Sequence, residues 1–300
     1  MKKRRIAATL LALAMAVSST CVGTVVSAGA ATPHTDMEVS PFPYREVYGD
    51  YYGAYCDRAR MYDDSGTLIL ENPLPTLRSL SEWMFPFNIN YNSKSTFDHG
   101  MGIGISSIYT QWVVDNQDGT YTYYDAFDLP HTLYFDPHTQ KATDRDGENI
   151  VLTRIDKGYQ ITYGSDTMEF DKERGTIFLI YQSSKMDGTS IYRDLEGNIE
   201  YISAKDGSRY EFIYSENGRV SGLTYHLKYT TDNPQNYTFD YDENGRLIDV
   251  TNHTDDVRGY TYTYENNQLV SSFNKLSGGV MQFSYTSTGD IIDTVFIPKD

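Results

Sequence analysis

Cysteine is almost missing: 300 residues contain only Cys21 and Cys56. A leader that removed Cys21 would leave one thiol, so no internal disulfide is available and Cys56 is expected to be a small buried hydrophobe. Long apolar runs are missing too. After residue 30 no stretch reaches the roughly 18 apolar residues that a membrane helix needs. Cations are scarce: Lys and Arg total 25 against 41 Asp and Glu, a net charge of −16. Such a surface repels nucleic acid and anionic membranes. From Ser40 onward no clear amphipathic helix period appears, and the single weak candidate runs from Thr76 to Met84.

Catalytic and metal signatures are equally sparse. There is no Gly-x-Ser-x-Gly, no signature cysteine, no His-Glu-x-x-His and no standout carboxylate pair. His131 and His138 read as isolated packing or surface residues. Asp144, Asp146 and Glu148 alternate and could offer oxygen to calcium, but a full twelve-residue calcium loop is missing. Hairpin turns account for the Asp-Gly pairs in 116–121, 144–149 and 185–190. "GMGIG" (Gly100–Gly104) lacks the Lys-Ser/Thr of a phosphate loop and reads as a glycine-bearing strand. The expectation is a chain with no catalytic residues, no cofactor and no metal.

What the sequence has in abundance is tyrosine, 27 residues, with threonine, glycine, aspartate and asparagine: a vocabulary of strands and turns. The N-terminus is different. Lys2, Lys3, Arg4 and Arg5 precede an apolar run from Ile6 to Val17, and Ala28-Gly29-Ala30 is a small-residue cleavage site. Residues 1–30 therefore read as a secretory signal, which places the mature protein outside the cell with no membrane insertion. Ser18-Ser19-Thr20 before Cys21 is a poor lipidation box, which wants leucine three residues before the cysteine. Residues 31–65 read as a proline-bearing linker and an irregular tyrosine-rich segment. Regular patterning occupies 66–300.

Four stretches in that region align. "YEFIYSENGRVSGLTY" (Tyr210–Tyr225) and "YTFDYDENGRLIDVTN" (Tyr237–Asn252) match without gaps. "YTYTYENNQLVSSFNK" (Tyr260–Lys275) lacks one turn residue, and "MQFSYTSTGDIIDTVF" (Met281–Phe296) matches again. Looser copies begin at Met168 and Ser190. The anchoring tyrosines Tyr214, Tyr241, Tyr264 and Tyr285 recur at steps of 27, 23 and 21. A period this steady means stacked hairpins.

The unit explains itself chemically. Tyr237, Phe239 and Tyr241 share one strand face; Thr238, Asp240 and Asp242 share the other. Gly218, Gly245 and Gly289 supply the positive φ of a tight turn. Arg219 and Arg246 open the return strands, and the Arg246 guanidinium can lie on an aromatic face or meet Asp242. Val220 and Leu223 are three apart, as are Leu247 and Val250, where two equivalent faces need an even spacing. The pattern predicts a bulge in each return strand, which adds twist and curls the sheet. The expected class is all-β: an elongated, curled antiparallel sheet of repeated hairpins.

Phe239 to Thr251 resembles the repeat of the Rhs / YD-repeat family, roughly Tyr-x-Tyr-Asp-x-x-Gly-Arg-Leu-x-x-Val-Thr. Phe85 to Trp112 looks like the segment that opens the family's bacterial shells, a strand ending in Tyr-Asn-Ser before a glycine-spaced strand. The resemblance covers about Gly66 to Phe296. It implies a sheet coiled into a spiral or hollow shell, here partial. Self-cleavage and toxin release are not carried over, because the Pro-x-x-x-x-Asp-Pro-x-Gly-Leu motif is not present and Asp136-Pro137 is followed by His138.

The functional expectation is a secreted, non-enzymatic protein that binds a glycan or cell-wall surface. Trp83 and Trp112 can stack on sugar rings, although repeated tyrosines also form cross-strand ladders. One alternative is a part of a larger shell that pairs with a second repeat-bearing chain by strand addition, using the edge near Ile291, Ile292, Val295 and Phe296. The other is a hydrolase with an unrecognised site.

Overall fold

The structure is a computed structural model, and it describes residues 44–52, 55–62, 65–74, 87–182, 185, 188–227, 234–254 and 258–299. The leader, Trp83 and the helix candidate at 76–84 lie outside these residues, as does the side chain of Cys56.

Every regular element among the described residues is a strand. An inner sheet contains β1 (Tyr44–Tyr52), β2 (Tyr55–Tyr62), β3 (Thr67–Pro73), β4 (Asn88–Asn92) and β5 (Ile105–Ser106), paired in that order. The rest is one antiparallel sheet of 18 strands. It begins with β6 (Trp112–Asp115), β7 (Thr120–Tyr124), β8 (Pro130–Asp136) and β9 (Lys141–Thr143). Next come β10 (Val151–Ile155), β11 (Gly158–Tyr163), β12 (Asp166–Asp171) and β13 (Ile177–Tyr181). The looser repeat supplies β14 (Thr189–Arg193) and β15 (Ile199–Ser203). The clear repeats supply β16 (Arg209–Tyr214), β17 (Val220–His226), β18 (Gln235–Tyr241) and β19 (Leu247–Asn252). The last four strands are β20 (Gly259–Glu265), β21 (Gln268–Asn274), β22 (Val280–Tyr285) and β23 (Ile291–Ile297).

The predicted bulge is present, and it recurs. In β12–β13, Phe170 pairs with Ile177 directly after Glu169 pairs with Leu179, so Phe178 has no partner. The same slip skips Glu200, Ser221, Ile248, Val270 and Ile292 in the five hairpins that follow. Its consequence is the three-residue spacing: Val220 and Leu223 both point inward, as do Leu247 and Val250, each at most 1% exposed. A bulge at one place in every hairpin adds twist in one sense, which coils the sheet.

The coil starts tightly. The Val113 N–H donates to Gly175 O at 2.8 Å and the Ile177 N–H to Gln111 O at 3.1 Å, with an isolated bridge between Trp112 and Thr176. Strands β6 to β12 therefore close on themselves at the β12–β13 turn. From β13 onward the sheet stays open, and no ladder joins β23 back to β6 among the described residues.

Of the spiral or hollow shell that the family resemblance implied, the coiled sheet is present, and its concave side is not hollow. The inner sheet fills it. Every residue of β3 is buried, which requires cover on both faces. On one side Asn90 and Asn92 donate to Ala126 O and Phe127 O in the β7–β8 loop, both at 2.8 Å. On the other side the Tyr260 hydroxyl sits 2.7 Å from Asp57 Oδ1, and Asn274 donates to Asp57 Oδ2 at 2.7 Å. Phe87 packs against Tyr109, Tyr210 and Phe212.

Residues 44–52 and 55–62, irregular in sequence, pair as the antiparallel strands β1 and β2. From Asp57 to Tyr62 only Arg58 is not fully buried, so polar alternation has no solvent face to report. Its buried charge is paired: Arg60 reaches Glu46 at 2.8 Å and Glu71 at 2.6 Å. The Gly100–Gly104 stretch is a loop, contrary to the strand reading. Gly100, Gly102 and Gly104 have φ of 84°, 105° and 77°, outside the extended range, and they let the backbone cross the repeat turns at Gly218 and Gly245.

Candidate functional site

Six hairpin turns, from β12–β13 to β22–β23, recur at matching positions along the coiled sheet. Their chemistry is shared. Asp242 Oδ1 accepts from the N–H groups of Asn244 and Arg246, and Gly245 has φ 75°. Arg246 donates Nε to Asp242 Oδ2 at 2.6 Å while its guanidinium carbon lies 5.0 Å from the Tyr264 ring centre. Both partners foreseen for that arginine are used at once. Arg219 does the same one hairpin earlier, 5.3 Å over Tyr241 and 2.9 Å from Asp98.

The anchoring tyrosines form a second chain of contacts. Tyr214, Tyr241 and Tyr285 donate to Ile199 O, Val220 O and Leu269 O at 2.9, 2.7 and 2.8 Å. Each acceptor lies at the start of the preceding return strand, the first residue of β15 and β17 and the second of β21. Burial raises Tyr214 to about 12, so these phenols stay protonated as donors. Gly289 closes the β22–β23 turn with φ 86°, and Asn266 and Asn267 serve the shortened turn with φ of 48° and 64°.

One cleft opens among these turns, with a volume of about 630 Å³. Its floor and walls come from the 97–100 loop, the start of β6 and three successive turns. The aromatic side holds Trp112, Phe97 and His99. Trp112 stacks on Tyr124 with ring centres 4.2 Å apart and 11° between planes, and Phe97 meets it edge-on at 4.7 Å. The cationic side holds Arg174, Arg193 and Arg219. Asp98, Glu196, Asn198 and Asn217 supply further polar groups.

The arginines are held differently. Arg219 is paired with Asp98. Arg174 donates to Leu195 O at 2.6 Å and spans the β14–β15 turn beside Gly197. Arg193 donates to Gly197 O at 3.0 Å and Tyr109 O at 3.2 Å. Desolvation lowers Arg193 to about 10, which still leaves it charged at neutral pH.

Ser95, His99 and Asp128 also come together beside the cleft. Ser95 donates to Asp128 Oδ2 at 2.8 Å and His99 Nε2 lies 2.9 Å from Asp128 Oδ1. The carboxylate stands between serine and histidine, so the serine–histidine contact that activates a nucleophile is not formed. A second cluster lies buried away from the cleft. His131 Nε2 is 3.3 Å from Asp125 Oδ2, and Tyr163 donates to Glu148 at 3.2 Å. Asp144 takes the Glu148 and Ile150 N–H groups at 2.7 and 2.8 Å, as a turn carboxylate does.

Of the residues singled out in sequence, Gly218, Arg219 and Trp112 line the cleft. Tyr214, Tyr241, Gly245, Arg246, Tyr264, Tyr285 and Gly289 belong to the turn ladder around it. Arg174, Arg193, His99 and Asp98 were missed. A signal for Arg193 existed: in the copy starting at Ser190 it occupies the place of the anchoring tyrosine.

No family model matches the sequence, and no curated protein matches it. Among solved structures, the Photorhabdus luminescens Tc holotoxin pore carrying a TccC3 mutation is 12% identical, with a TM-score of 0.33 over 84% of this chain and 15% of that one. The TcdB2-TccC3-Cdc42 structure is 11% identical, with a TM-score of 0.28 over 81% of this chain and 17% of that one. A porin-like protein from Bacteroides uniformis is 14% identical, with a TM-score of 0.25 over 78% of this chain and 97% of that one. The chain thus spans less than a fifth of the length of the toxin chains it resembles. At these TM-scores the likenesses bear on neither ligand nor activity.

Proposed function

We propose that this chain is a non-enzymatic binding protein acting outside the cell, and that the turn-rim cleft receives a saccharide. The cleft itself carries this reading. Apolar rings (Trp112, Phe97) stand next to acceptors and donors (Asp98, Glu196, Asn198, Asn217), the mixture that sugars present in return: apolar C–H faces edged by hydroxyls. The coiled sheet serves as a rigid frame, since its concave side is occupied by the inner sheet. Ser95 donating to Asp128 instead of His99 favours binding over acyl transfer. The leader-like N-terminus supports an extracellular or envelope location.

A glycan array probed with the purified chain, followed by calorimetry on hits, tests the reading. Binding weakened by Asn217→Ala supports it. Saccharide turnover, or no saccharide binding at millimolar concentration, overturns it.

A second reading, one part of a larger assembly, has one observation behind it. Phe273, Val295 and Ile297 are exposed on the outer face of β21–β23 at 37%, 38% and 43%. A repeat-bearing partner could cover them. Against strand addition, β23 lies beside β1 and β2, and its Ile291 N–H already donates to Gly66 O at 2.9 Å.

A further inference from the structure

The six bulged hairpins superimpose in register, so their residues can be compared place by place. At the pair on the turn side of the bulge stand Tyr214 opposite Val220, Tyr241 opposite Leu247, Tyr264 opposite Leu269, Tyr285 opposite Ile291 and, in β12–β13, Phe170 opposite Ile177. In β14–β15 the pair is Arg193 opposite Ile199. The residue after the turn is Arg219 and Arg246 in the next two hairpins, Asn198 here, and Thr176, Gln268 and Asp290 in the remaining three. The hairpin β14–β15 alone therefore puts a cation where the other five put an aromatic ring, and after its glycine it lacks the arginine that the next two hairpins carry. Arg193 and Asn198 both line the cleft.

The arginine at 193 is not explained by stability. A tyrosine at position 193 would bury a ring and one hydroxyl, as its counterparts do. An arginine brings a full charge into a site where desolvation disfavours it. Two of its donors find backbone carbonyls, its Nε has no hydrogen-bond partner, and it forms no ion pair among the described residues. Arg174 alongside is likewise held by carbonyls, those of Leu195 and Asp194, and among the described residues by no carboxylate. On a chain of net charge −16, two guanidiniums without carboxylate partners at one cleft stand out. A local rule broken without a stabilising return marks a functional position.

We infer that the cleft takes an acidic saccharide, whose carboxylate or sulfate oxygens are received by Arg193 and Arg174. This rests on the saccharide reading above and narrows it. The planar guanidinium fork matches such an oxyanion. Asn198 is tied to Asp194 through its N–H and its side-chain amide at 2.8 and 3.0 Å. Being shorter than the arginine of the neighbouring turns, it leaves the rim open where a guanidinium would otherwise lie. Asp98 and Glu196 remain to accept from sugar hydroxyls.

The test is calorimetric titration of the full chain with paired ligands that differ only in charge. Oligogalacturonate and its methyl ester form one pair, a sulfated oligosaccharide and its desulfated form another, and sodium sulfate is the bare anion. Acidic members should bind roughly tenfold or more tightly than neutral ones, and the margin should shrink as salt is raised. Arg193→Tyr restores the residue of four of the other five hairpins, so it should melt no lower than the wild type while losing that margin. A melting temperature that falls with ligand preference intact would make Arg193 structural and overturn the inference. Equal binding of neutral and acidic members also overturns it, while the saccharide reading survives. Sulfate binding that depends on Arg193, with no saccharide bound, keeps the anion site and removes the saccharide. No binding by any probe removes both.

Discussion

The phenol of Tyr241 donates to the carbonyl of Val220 at 2.7 Å, joining one hairpin to the return strand of the hairpin before it. Tyr264 stands at the equivalent place, but its buried hydroxyl has no hydrogen-bond partner among the described residues. The two sites therefore predict different costs. Tyr241→Phe should lower stability by about 1 kcal/mol through the lost bond, with Val220 O left short of a donor. Tyr264→Phe removes only an unsatisfied group and should be neutral or slightly stabilising. Denaturant melts of the two variants, compared at equal m-value, check the difference. Equal losses would show that the ring and not the hydroxyl carries the ladder.

Gly245 and Gly218 both sit at positive φ, yet only Gly245 is roofed by a side chain, the Arg219 guanidinium. Gly245→Val must strain the turn and displace Arg219, for on the order of 1–3 kcal/mol. Gly218→Val meets open space and should cost less. Because Arg219 lines the cleft, Gly245→Val should also weaken ligand binding. Thermal melts and one titration each suffice.

The buried group around His131 predicts a pH dependence. Burial works against charge on His131, but its bond to Asp125 and the nearby Glu148 and Asp144 outweigh this and raise it above its ordinary value. Desolvation lifts Glu148 to about 7, against the fields of His131 and the Tyr163 bond. Both folded-state values are raised, so the folded state binds protons more tightly than the unfolded chain. Stability from this cluster is present at about pH 4–5 and is lost as pH rises through 7. The melting temperature should fall by a few degrees between pH 5 and pH 8. Glu148→Gln should flatten that slope, and a slope unchanged in the variant would locate the dependence elsewhere.

Residues 291–297 divide between two environments. Ile291 and Phe296 are buried, whereas Ile292 and Val295 are 50% and 38% exposed. With β1 and β2 beside β23, strand addition at this edge is obstructed. Light scattering at tens of micromolar should report a monomer, and Val295→Lys should leave the melting temperature unchanged within about half a kcal/mol of stability. A wild-type dimer that Val295→Lys dissociates would instead favour the larger-assembly reading.

Tyr237 to Asn252 by itself determined a strand, a glycine turn, an arginine on a neighbouring ring or carboxylate, and a bulge. Each of these depends on residues a few positions apart, and a repeat shows the same local solution several times over. Tertiary structure alone decided what fills the curl. Strands β1 to β5 pair into a sheet whose β3 is covered on both faces, and a strand with no solvent side has no alternation to display; the buried Arg60 and Asp57 of β2 resemble surface residues until their partners Glu71 and Tyr260 arrive from elsewhere in the chain. The cleft is of the same kind. Arg193 stood in the sequence as an imperfection in a loose copy. Its meaning depends on Trp112, Arg174 and Asp98, which only the coiling of the sheet brings to one place.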